Sequence, residues 1–429
     1  MSEEREFAVE VICTGDEVLT GKIVNSNYGY IAQKLEDYGL AVRRGATVGD
    51  DRAELLRAFQ EAGRRADHVI VNGGLGPTVD DLSQEVAAQA AGAALELHPE
   101  WLERMEAYFR QRGRTMPDNN RKQALLPAGS EVLDNPIGTA CGFALTIGKA
   151  RFYFTPGVPR ELFRMLEEQI VPRILKAGGT PGVIVLKRFH SFGLGESHVD
   201  QMLAGLEAMV PDGSLKLGFR AHYPQLETKL TVRAADEAEA RRKLAPAEAE
   251  VRKRLGNFIL AEDNETLEGV VLDLLRSSNA TLAVVENFTG GQLTARLAPL
   301  PGSDQALLRG TVARTGSGLM RALGLAEVSE ADAHTAEAAQ SLAHAARLQA
   351  GATHGLSLLC NLSGADPTLS GLIVVGLDSG RGPAVRTTKL GGNRDWIRLG
   401  AVELGLDCLR RHLKGMPLHE RNDFERRPA

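Results

Sequence analysis

The stretch His68-Val69-Ile70-Val71-Asn72 runs directly into Gly73-Gly74-Leu75-Gly76-Pro77-Thr78-Val79-Asp80-Asp81, and this junction decides the fold. A short apolar run of this kind predicts a buried strand. The glycines after it allow positive φ and a close approach of the backbone to a ligand. Backbone N–H groups in such a turn, followed by a helix N-terminus, bind anions. The junction therefore predicts a phosphate-ester site of nucleotide type. No Gly-Lys-Ser/Thr follows, so the loop is not a P-loop.

Strands and helices alternate around this junction. Strands of this length separated by helices predict a parallel sheet that is covered on both faces, with ligands at the carboxyl ends of the strands. The predicted elements are a strand over 7–14, a helix over 26–38, a strand over 40–48 and helices over 52–65 and 82–91. The fold class predicted for this part of the chain is three-layer α/β.

Several polar residues follow these strands. Asp16 and Asn27 come after the first strand and are candidates for ligand contact. Asp51 with Glu54 has the spacing of a capping box at the start of the next helix, whereas Asp50, at the end of the second strand, either belongs to that helix start or faces the site.

Asp80 and Asp81 lie at the start of the helix after the loop. Either one of them is simply its N-cap, or one caps the helix and the other holds a divalent cation that bridges phosphate oxygens.

Composition narrows the class of protein. The chain has 429 residues and a net charge of -5, which favours two to four domains and no nucleic-acid partner. Four widely spaced cysteines indicate reduced thiols rather than disulfides or a zinc site. The acidic start of the chain does not resemble a signal peptide, and no run approaches the ~18 apolar residues that span a bilayer. We therefore expect a cytoplasmic protein with no membrane partner.

Gly and Pro clusters divide the chain. Gly178-Gly179 and Pro181-Gly182 mark the end of the first domain. The predicted domains are 1–177, a smaller α+β module over 183–260, and a third α/β unit over 265–415. The polar tail covers 416–429, and its part over 419–429 is expected to fray.

The segments TGDEVLTGKIVNSN (14–27), VGDD (48–51), NGGLGPTVDDLS (72–83) and FTPGVPREL (154–162) resemble the molybdopterin-binding domain, in the version found in the competence/damage-inducible CinA family. The resemblance covers nearly the whole chain. It implies a KH-like middle module, a homodimer, and metal-dependent hydrolysis of ADP-ribose to AMP and ribose 5-phosphate by the first domain.

The resemblance also implies roles for individual residues. Asp81, Asp50 and Asp16 would be catalytic, and Asp81 and Asp16 would hold the metal. The divalent cation would be magnesium, and the monovalent cation potassium would accompany it. The nucleotide substrate would be bound by Asn27, Gly73, Gly74, Gly76, Pro77, Thr78 and Gly157.

The last domain resembles the CinA C-terminal domain, which implies a nicotinamide mononucleotide (NMN) amidohydrolase with a serine nucleophile. Here the serine position holds Asn287, and Arg314 and Leu319 replace a tyrosine and a lysine. A carboxamide cannot form an acyl intermediate. We therefore expect no NMN deamidase activity and a dimerising or ligand-sensing role instead. The family pattern is retained at Thr289, Gly290 and Arg394, among others.

Two alternatives stay open for the first domain. One is a binding protein that holds a nucleotide or pterin without turnover, with a scaffolding C-terminal domain. The other is a molybdopterin enzyme, which the Gly-Leu-Gly-Pro-Thr form of the loop disfavours. His334, His344 and His354 are interpreted as solvated helix residues, because no carboxylate or thiol partner has metal-ligand spacing.

Overall fold

The structure is a computed structural model that describes residues 8–177, 183–365, 368–380, 382–420 and 422–425. It contains two compact units, Met1–Ile184 and Val185–Ala429. The predicted boundary at 178–182 lies outside the described residues.

The first unit is built on a six-stranded sheet with the order β2-β1-β3-β8-β7-β6. Strands β1, β2, β3 and β8 are parallel, whereas β7 is antiparallel to β8 and to β6. A two-stranded antiparallel sheet, β4-β5, lies apart from it. The strands are β1 Val9–Thr14, β2 Val42–Val48, β3 His68–Asn72, β4 Leu95–Leu97, β5 Leu125–Pro127, β6 Glu131–Leu133, β7 Gly142–Ile147 and β8 Ala150–Thr155. The helices are α1 Asp16–Leu19, α2 Ser26–Asp37, α3 Arg52–Arg65, α4 Ser83–Ala91, α5 Pro99–Gln111, α6 Pro159–Met165 and α7 Val171–Ala177.

Strands β1 and β3 are buried along their whole length, and their side chains alternate between two cores. Val11 and Ile70 face the core that contains Ile31 of α2, whereas Ile12 and Val71 face the core that contains α3 and α4. Alternation is the period of a strand, and helices on both sides cover both faces. The predicted three-layer α/β class is confirmed.

The middle module is a four-stranded sheet with the order β10-β11-β9-β12. Alternate residues of β11 are buried against helix α9, which buries Leu244 and Val251 on its facing side. Its elements are β9 Val183–Phe192, α8 Glu196–Met202, β10 Leu215–His222, β11 Gln225–Ala234, α9 Glu237–Leu255 and β12 Ile259–Glu262.

The C-terminal domain has a five-stranded sheet with the order β14-β13-β15-β16-β17. Strand β13 is parallel to both of its neighbours, and β15, β16 and β17 form an antiparallel meander. Its strands are β13 Leu282–Glu286, β14 Leu307–Val312, β15 His354–Ser363, β16 Ser370–Asp378 and β17 Pro383–Gly391. Its helices are α10 Leu267–Ser277, α11 Gln292–Leu297, α12 Ser303–Ala306, α13 Gly316–Ala322, α14 Ala336–Ala350 and α15 Arg394–Leu413.

The predicted fraying of the polar tail is wrong for residues 419–420 and 422–425. They belong to the described part of the tail, residues 416–420 and 422–425, which we term the 416–425 segment. The buried guanidinium groups of Arg386 and Arg411 donate to backbone carbonyls of this segment. The Asp423 carboxylate accepts hydrogen bonds from Gly195 N at 2.8 Å and faces His198 Nδ1 at 2.9 Å. Buried cations need acceptors, and the segment supplies them.

Among the described residues, no helix is both long enough and apolar enough to cross a bilayer.

Candidate functional site

A cavity of about 620 Å³ opens in the first unit where β1, β3 and β8 end. Its walls are the glycine-rich loop after β3, the turn before α2 and the segment between β8 and α6. The sequence-predicted residues Asn27, Asp50, Thr78, Asp81 and Gly157 all line it. So do Gly73, Gly74, Gly76 and Pro77. Asp16 does not line the cavity; its carboxylate points to the backbone of Asp50.

Two glycines of the loop are required by its backbone. Gly73 and Gly74 have φ angles of 112° and 70°, in the region that favours glycine. A Cβ on Gly73 would lie 2.6 Å from Thr14 Oγ1, and one on Gly74 would lie 2.4 Å from Ser83 Oγ. The loop is therefore pressed against the end of β1 and the start of α4, with Ser83 Oγ donating to Gly73 O at 2.9 Å.

The two aspartates at the end of the loop do not cap α4, so that expectation is wrong. The cap position is Leu82, which makes no side-chain cap. Asp81 folds back instead, and its Oδ2 accepts hydrogen bonds from the backbone N of Thr78, at 2.9 Å, and from the Thr78 hydroxyl. Two donors three residues earlier are within reach of this short side chain, and both bonds fix the shape of the loop.

Asp16 and Asp50 join the ends of β1 and β2. Asp16 N donates to Asp50 Oδ2 at 3.0 Å, and Asp50 N donates to Asp16 Oδ1 at 3.1 Å. Burial raises the pKa of the Asp50 carboxyl, and the nearby charges of Asp16, Glu17 and Asp80 act in the same direction, against the hydrogen bond from Asp16. The adjacent Asp51 is the N-cap of α3, accepting from Ala53 N and Glu54 N.

The lining of the cavity is acidic. It contains the carboxylates of Glu17, Asp50, Asp80, Asp81 and Glu161, and the described residues that line it include no lysine or arginine. Burial raises the pKa of Glu161, against a hydrogen bond from Asn135. These carboxylates, two of which belong to the glycine-rich loop itself, would repel a phosphate bound at the loop unless a cation lies between them.

Sequence reasoning missed Thr14, Asn72 and Glu161 as lining residues. Thr14 and Asn72 are the last residues of β1 and β3. The rule that ligands bind at the carboxyl ends of parallel strands could have found both. Glu161 lies in the segment after β8, where only Gly157 was chosen.

No group of three or more His, Cys, Asp or Glu side chains in the described parts of the chain has the arrangement of a metal centre. This donor set nevertheless fits magnesium, which is usually held by one or two carboxylates while phosphate oxygens and waters complete its shell. Asp50 and Asp81 on the cavity wall could provide those carboxylates.

The corresponding region of the C-terminal domain is the turn after β13. Glu286 is fully buried, and its carboxylate accepts hydrogen bonds from the Thr289 hydroxyl and from the backbone and hydroxyl of Thr294. Asn287, 4% exposed, accepts from Cys360 N at 2.8 Å and donates to Cys360 O at 3.1 Å. These bonds tie the turn to β15.

The other residues that the sequence analysis selected in this domain lie in different environments. Leu319 is buried in the core beside Val285, and Arg314 is exposed. The Arg394 guanidinium lies 5.1 Å from the centroid of the Phe288 ring, next to the β13 turn. Gly290 is exposed at the tip of the turn and Thr289 is buried.

The interpretation of the histidines as solvated helix residues is wrong for His354, which begins strand β15, and for His334. His334 is buried in a short 3₁₀ turn, where Nδ1 lies 2.8 Å from Glu330 O and Nε2 lies 3.0 Å from Asn287 Nδ2. His344 lies 2.8 Å from the Asp378 carboxylate. The ten-residue spacing gave no sign of either contact.

The fold and the site define a class of multidomain protein: a three-layer domain with this loop, an α+β module and a second α/β domain. Family models match each of the three domains. Residues 10–176 match the model described as "Probable molybdopterin binding domain". Residues 187–261 match "Damage-inducible protein CinA KH domain", and residues 264–413 match "CinA C-terminal domain".

Relatives match along nearly the full length. A "CinA-like protein" of Shewanella amazonensis is 36% identical over 414 residues, which cover 95% of this chain and 96% of the relative. "Nicotinamide-nucleotide amidohydrolase PncC" of Shewanella oneidensis is 35% identical, over 94% of this chain and 96% of its own length. A crystal structure of a CinA protein of unknown function from Thermoplasma acidophilum is 32% identical over 40% of this chain and 97% of its own, with a TM-score of 0.36. The chain belongs to the CinA family.

The predicted hydrolysis of ADP-ribose to AMP and ribose 5-phosphate is wrong. The activity named among the relatives is that of a nicotinamide-nucleotide amidohydrolase, and none of the matched family models describes a pyrophosphatase. The same relative gives no support to the predicted absence of NMN deamidase activity. A loop that binds phosphate identifies a group on the ligand and leaves open which bond is cleaved, if any.

Proposed function

We propose that the cavity of the first domain binds a small nucleotide-type phosphate ester together with a divalent cation. The observation that carries this proposal is the composition of the cavity lining. The lining contains five carboxylates, two of them in the glycine-rich loop itself, together with the glycines and N–H groups of an anion site, and no basic side chain is present among the described lining residues. A phosphate bound there needs a cation to offset the repulsion.

Magnesium, when bound, would offset charge on the phosphate oxygens. Asp81 keeps the loop in shape through Thr78, and it is on the wall together with Asp50. Asp16 acts through Asp50, because each of the two residues hydrogen-bonds the other's backbone amide. Asp50 is therefore a better candidate ligand than Asp16.

Titration calorimetry with the full-length protein tests this proposal. ADP and neopterin phosphate are each titrated with magnesium, with magnesium plus potassium, and with EDTA. We expect magnesium-dependent binding of at least one of them, and a roughly 10-fold weaker affinity in Asp81→Asn, about 1.4 kcal/mol. The matched control is Asp395→Asn, an exposed aspartate of α15. Equal affinity in EDTA, or no binding at all, would refute the proposal.

A second proposal concerns the C-terminal domain, which we propose binds a nicotinamide nucleotide. Its support is the amidohydrolase name of one relative and the position of Arg394, a phosphate-type partner, beside the β13 turn. NMN binding that is lost in Arg394→Ala and kept in Arg398→Ala is the expected result. Release of ammonia would extend the proposal from binding to hydrolysis, and absence of NMN binding would overturn it.

We also propose, from the family resemblance, that the protein is a homodimer whose ligands are small molecules. Light scattering at micromolar concentration measures the mass directly. A mass of one chain, 46.1 kDa, would contradict the proposal.

A further inference from the structure

The three larger sheets that the structure describes end in six edge strands. These are β2 and β6 in the first unit, β10 and β12 in the middle module, and β14 and β17 in the C-terminal domain. The outer side of an edge strand presents a row of unpaired N–H and C=O groups to which another strand can bond. Proteins protect such edges with charged side chains, with very short strands or with a covering segment.

Five of these six edges have such protection. β2 carries the exposed residues Arg43 and Arg44, and β10 carries the exposed residues Lys216 and Arg220. β6 and β12 are only three and four residues long. β17 is covered by the 416–425 segment, which forms a β-bridge to it. A further strand is therefore disfavoured at each of these edges.

β14 has none of these features in the described part of the chain. It is six residues long, and its exposed positions are Leu308, Gly310 and Val312, with half-buried residues between them. The two apolar side chains are 44% and 48% exposed. The charge of Arg309 lies on the other face of the strand, 3.5 Å from Gln349 Oε1. The exposed face of β14 is therefore apolar and uncharged, as in an edge that pairs with another strand.

The sequence of β14 suits pairing with a second copy of itself. Two antiparallel copies of one strand are related by a two-fold axis, so each contact occurs twice. With the axis at Gly310, Leu308 of each copy lies opposite the partner's Val312, and Arg309 lies opposite the partner's Thr311. Apolar side chains then meet on one face, and no like charges are opposed on the other.

The neighbouring registers are less favourable. An axis at Arg309 places two guanidinium groups directly opposite each other, and like charges in that position destabilise a strand pair. An axis at Thr311 places Leu308 opposite the partner's Arg314, which is an exposed charge. The axis at Gly310 is thus the register that matches apolar with apolar residues and avoids repulsion.

We propose that β14 is the interface of a homodimer, in which the β14 strands of two copies pair antiparallel about a two-fold axis at Gly310 and join two C-terminal sheets into one. This inference rests on the proposed homodimer and adds the surface that forms it. The turn after β13 borders this edge, because a Cβ on Gly291 would lie 3.4 Å from Val312 Cγ2. The interface therefore lies next to the turn where we propose that a nicotinamide nucleotide binds.

Single charges on the edge test the interface in the full-length protein. Leu308→Lys and Val312→Glu each change an exposed side chain, so the fold should persist, and far-UV circular dichroism checks that it does. A charge on an edge strand opposes pairing. We expect light scattering to show that each variant shifts from the mass of two chains toward that of one, 46.1 kDa, at a concentration where the wild type is dimeric.

The double variant Leu308→Lys/Val312→Glu tests the register. In the proposed pairing the new ammonium group of one copy lies opposite the new carboxylate of the other at both ends of the strand pair, so the dimer mass should return. Within one chain the two positions are about 13 Å apart along the strand, too far for an ion pair. Met209→Lys is the matched control, because Met209 is an apolar side chain of the middle module with 40% exposure, and this variant should stay dimeric.

The outcomes separate this inference from the proposed homodimer. A dimeric wild type whose two single variants stay dimeric overturns the β14 interface and leaves the homodimer intact. Monomeric single variants with no recovery in the double variant overturn the two-fold register at Gly310. A monomeric wild type overturns both proposals, and it is also the result expected if the edge pairs with a peptide of another protein.

Discussion

Asn27 and Asn287 both lie where parallel strands end, yet their carboxamides differ in how many hydrogen bonds they make. Asn287 has its oxygen and its N–H₂ group engaged by Cys360 and His334. Asn27 has both N–H donors engaged, and its oxygen has no partner among the described residues. A buried polar side chain thus indicates a ligand only where hydrogen-bonding capacity remains unused, and otherwise it holds the protein together.

Charged groups show the same contrast. In α15, Asp407 accepts hydrogen bonds from Arg410 and Arg411, and all three residues are at most 2% exposed. The cavity lining of the first domain contains five carboxylates and, among the described residues, no lysine or arginine, although Lys122 donates to Thr78 O at 3.0 Å from just outside the lining. The first set is satisfied by the chain itself, whereas we propose that a cation balances the second.

The largest effect should come from breaking the satisfied set. Asp407→Ala leaves two arginines buried without their shared carboxylate, and we expect it to lower the free energy of unfolding by about 3–5 kcal/mol. Urea denaturation measures the change. Asp395→Ala on the same helix removes an exposed partner of Arg398 and should cost under about 0.5 kcal/mol. Similar losses in both variants would contradict the comparison.

The two asparagines should separate stability from binding. Asn287→Ala removes the partners of Cys360 N and O, and we expect a loss of about 1–3 kcal/mol in the free energy of unfolding. Asn27→Ala should cost less, because water can reach the exposed Gly157 at the cavity. A larger destabilisation in Asn27→Ala than in Asn287→Ala would show that Asn27 is a structural residue.

Gly73→Ala tests the loop itself. The new Cβ would meet Thr14 at 2.6 Å in a backbone conformation with φ of 112°, so the loop must move. We expect magnesium-dependent ligand affinity to fall at least roughly 10-fold. Gly92→Ala is the matched control, since Gly92 has φ of 67° and nothing within 4 Å of its added Cβ. Unchanged affinity in Gly73→Ala would exclude the loop as the phosphate site.

The smallest effects concern the pH dependence of stability. The ionised forms of two carboxylates, Glu262 and Asp50, should change the free energy of unfolding in opposite directions. Hydrogen bonds from Arg252 lower the pKa of Glu262 to about 2, with Lys187 acting in the same direction against burial. Its contribution to stability is present above the ordinary value of 4.5 and is lost as pH falls toward 2. The stability difference between wild type and Glu262→Gln should therefore shrink over that range.

Asp50 has a raised pKa, chiefly from burial. Its ionised form costs stability above that pKa, so Asp50→Asn should be more stable than wild type at neutral pH in EDTA, and the gain should vanish in acid. Lower stability of Asp50→Asn at pH 7 would show that its charge is already compensated within the protein.

The sequence predicted what depends on short-range pattern. The three apolar residues of β3, the glycines after them and the Asp51 cap of α3 each follow from local chemistry, and the structure has all three. Local pattern also located the cavity, because strand ends in a parallel sheet meet at one edge.

What the sequence could not predict depends on partners distant in the chain. His334 is buried through Asn287, 47 residues away, and Asp423 is fixed by residues more than 220 positions earlier. The expectation that Asp80 or Asp81 caps α4 failed for a different reason. A side-chain cap of α4 and a hydrogen bond back to Thr78 both join residues that are close in sequence. The sequence alone does not show which of the two arrangements is more stable.

The 416–425 segment has a consequence for the order of events during synthesis. Phe424 contacts the rings of Phe192 and Tyr223, and Asp423 bonds to Gly195. These residues of the middle module leave the ribosome some 200 residues before their partners do. The aromatic surface of the middle module therefore stays uncovered until residue 425 has been translated. The module completes its folding only after the domain that follows it has been synthesised.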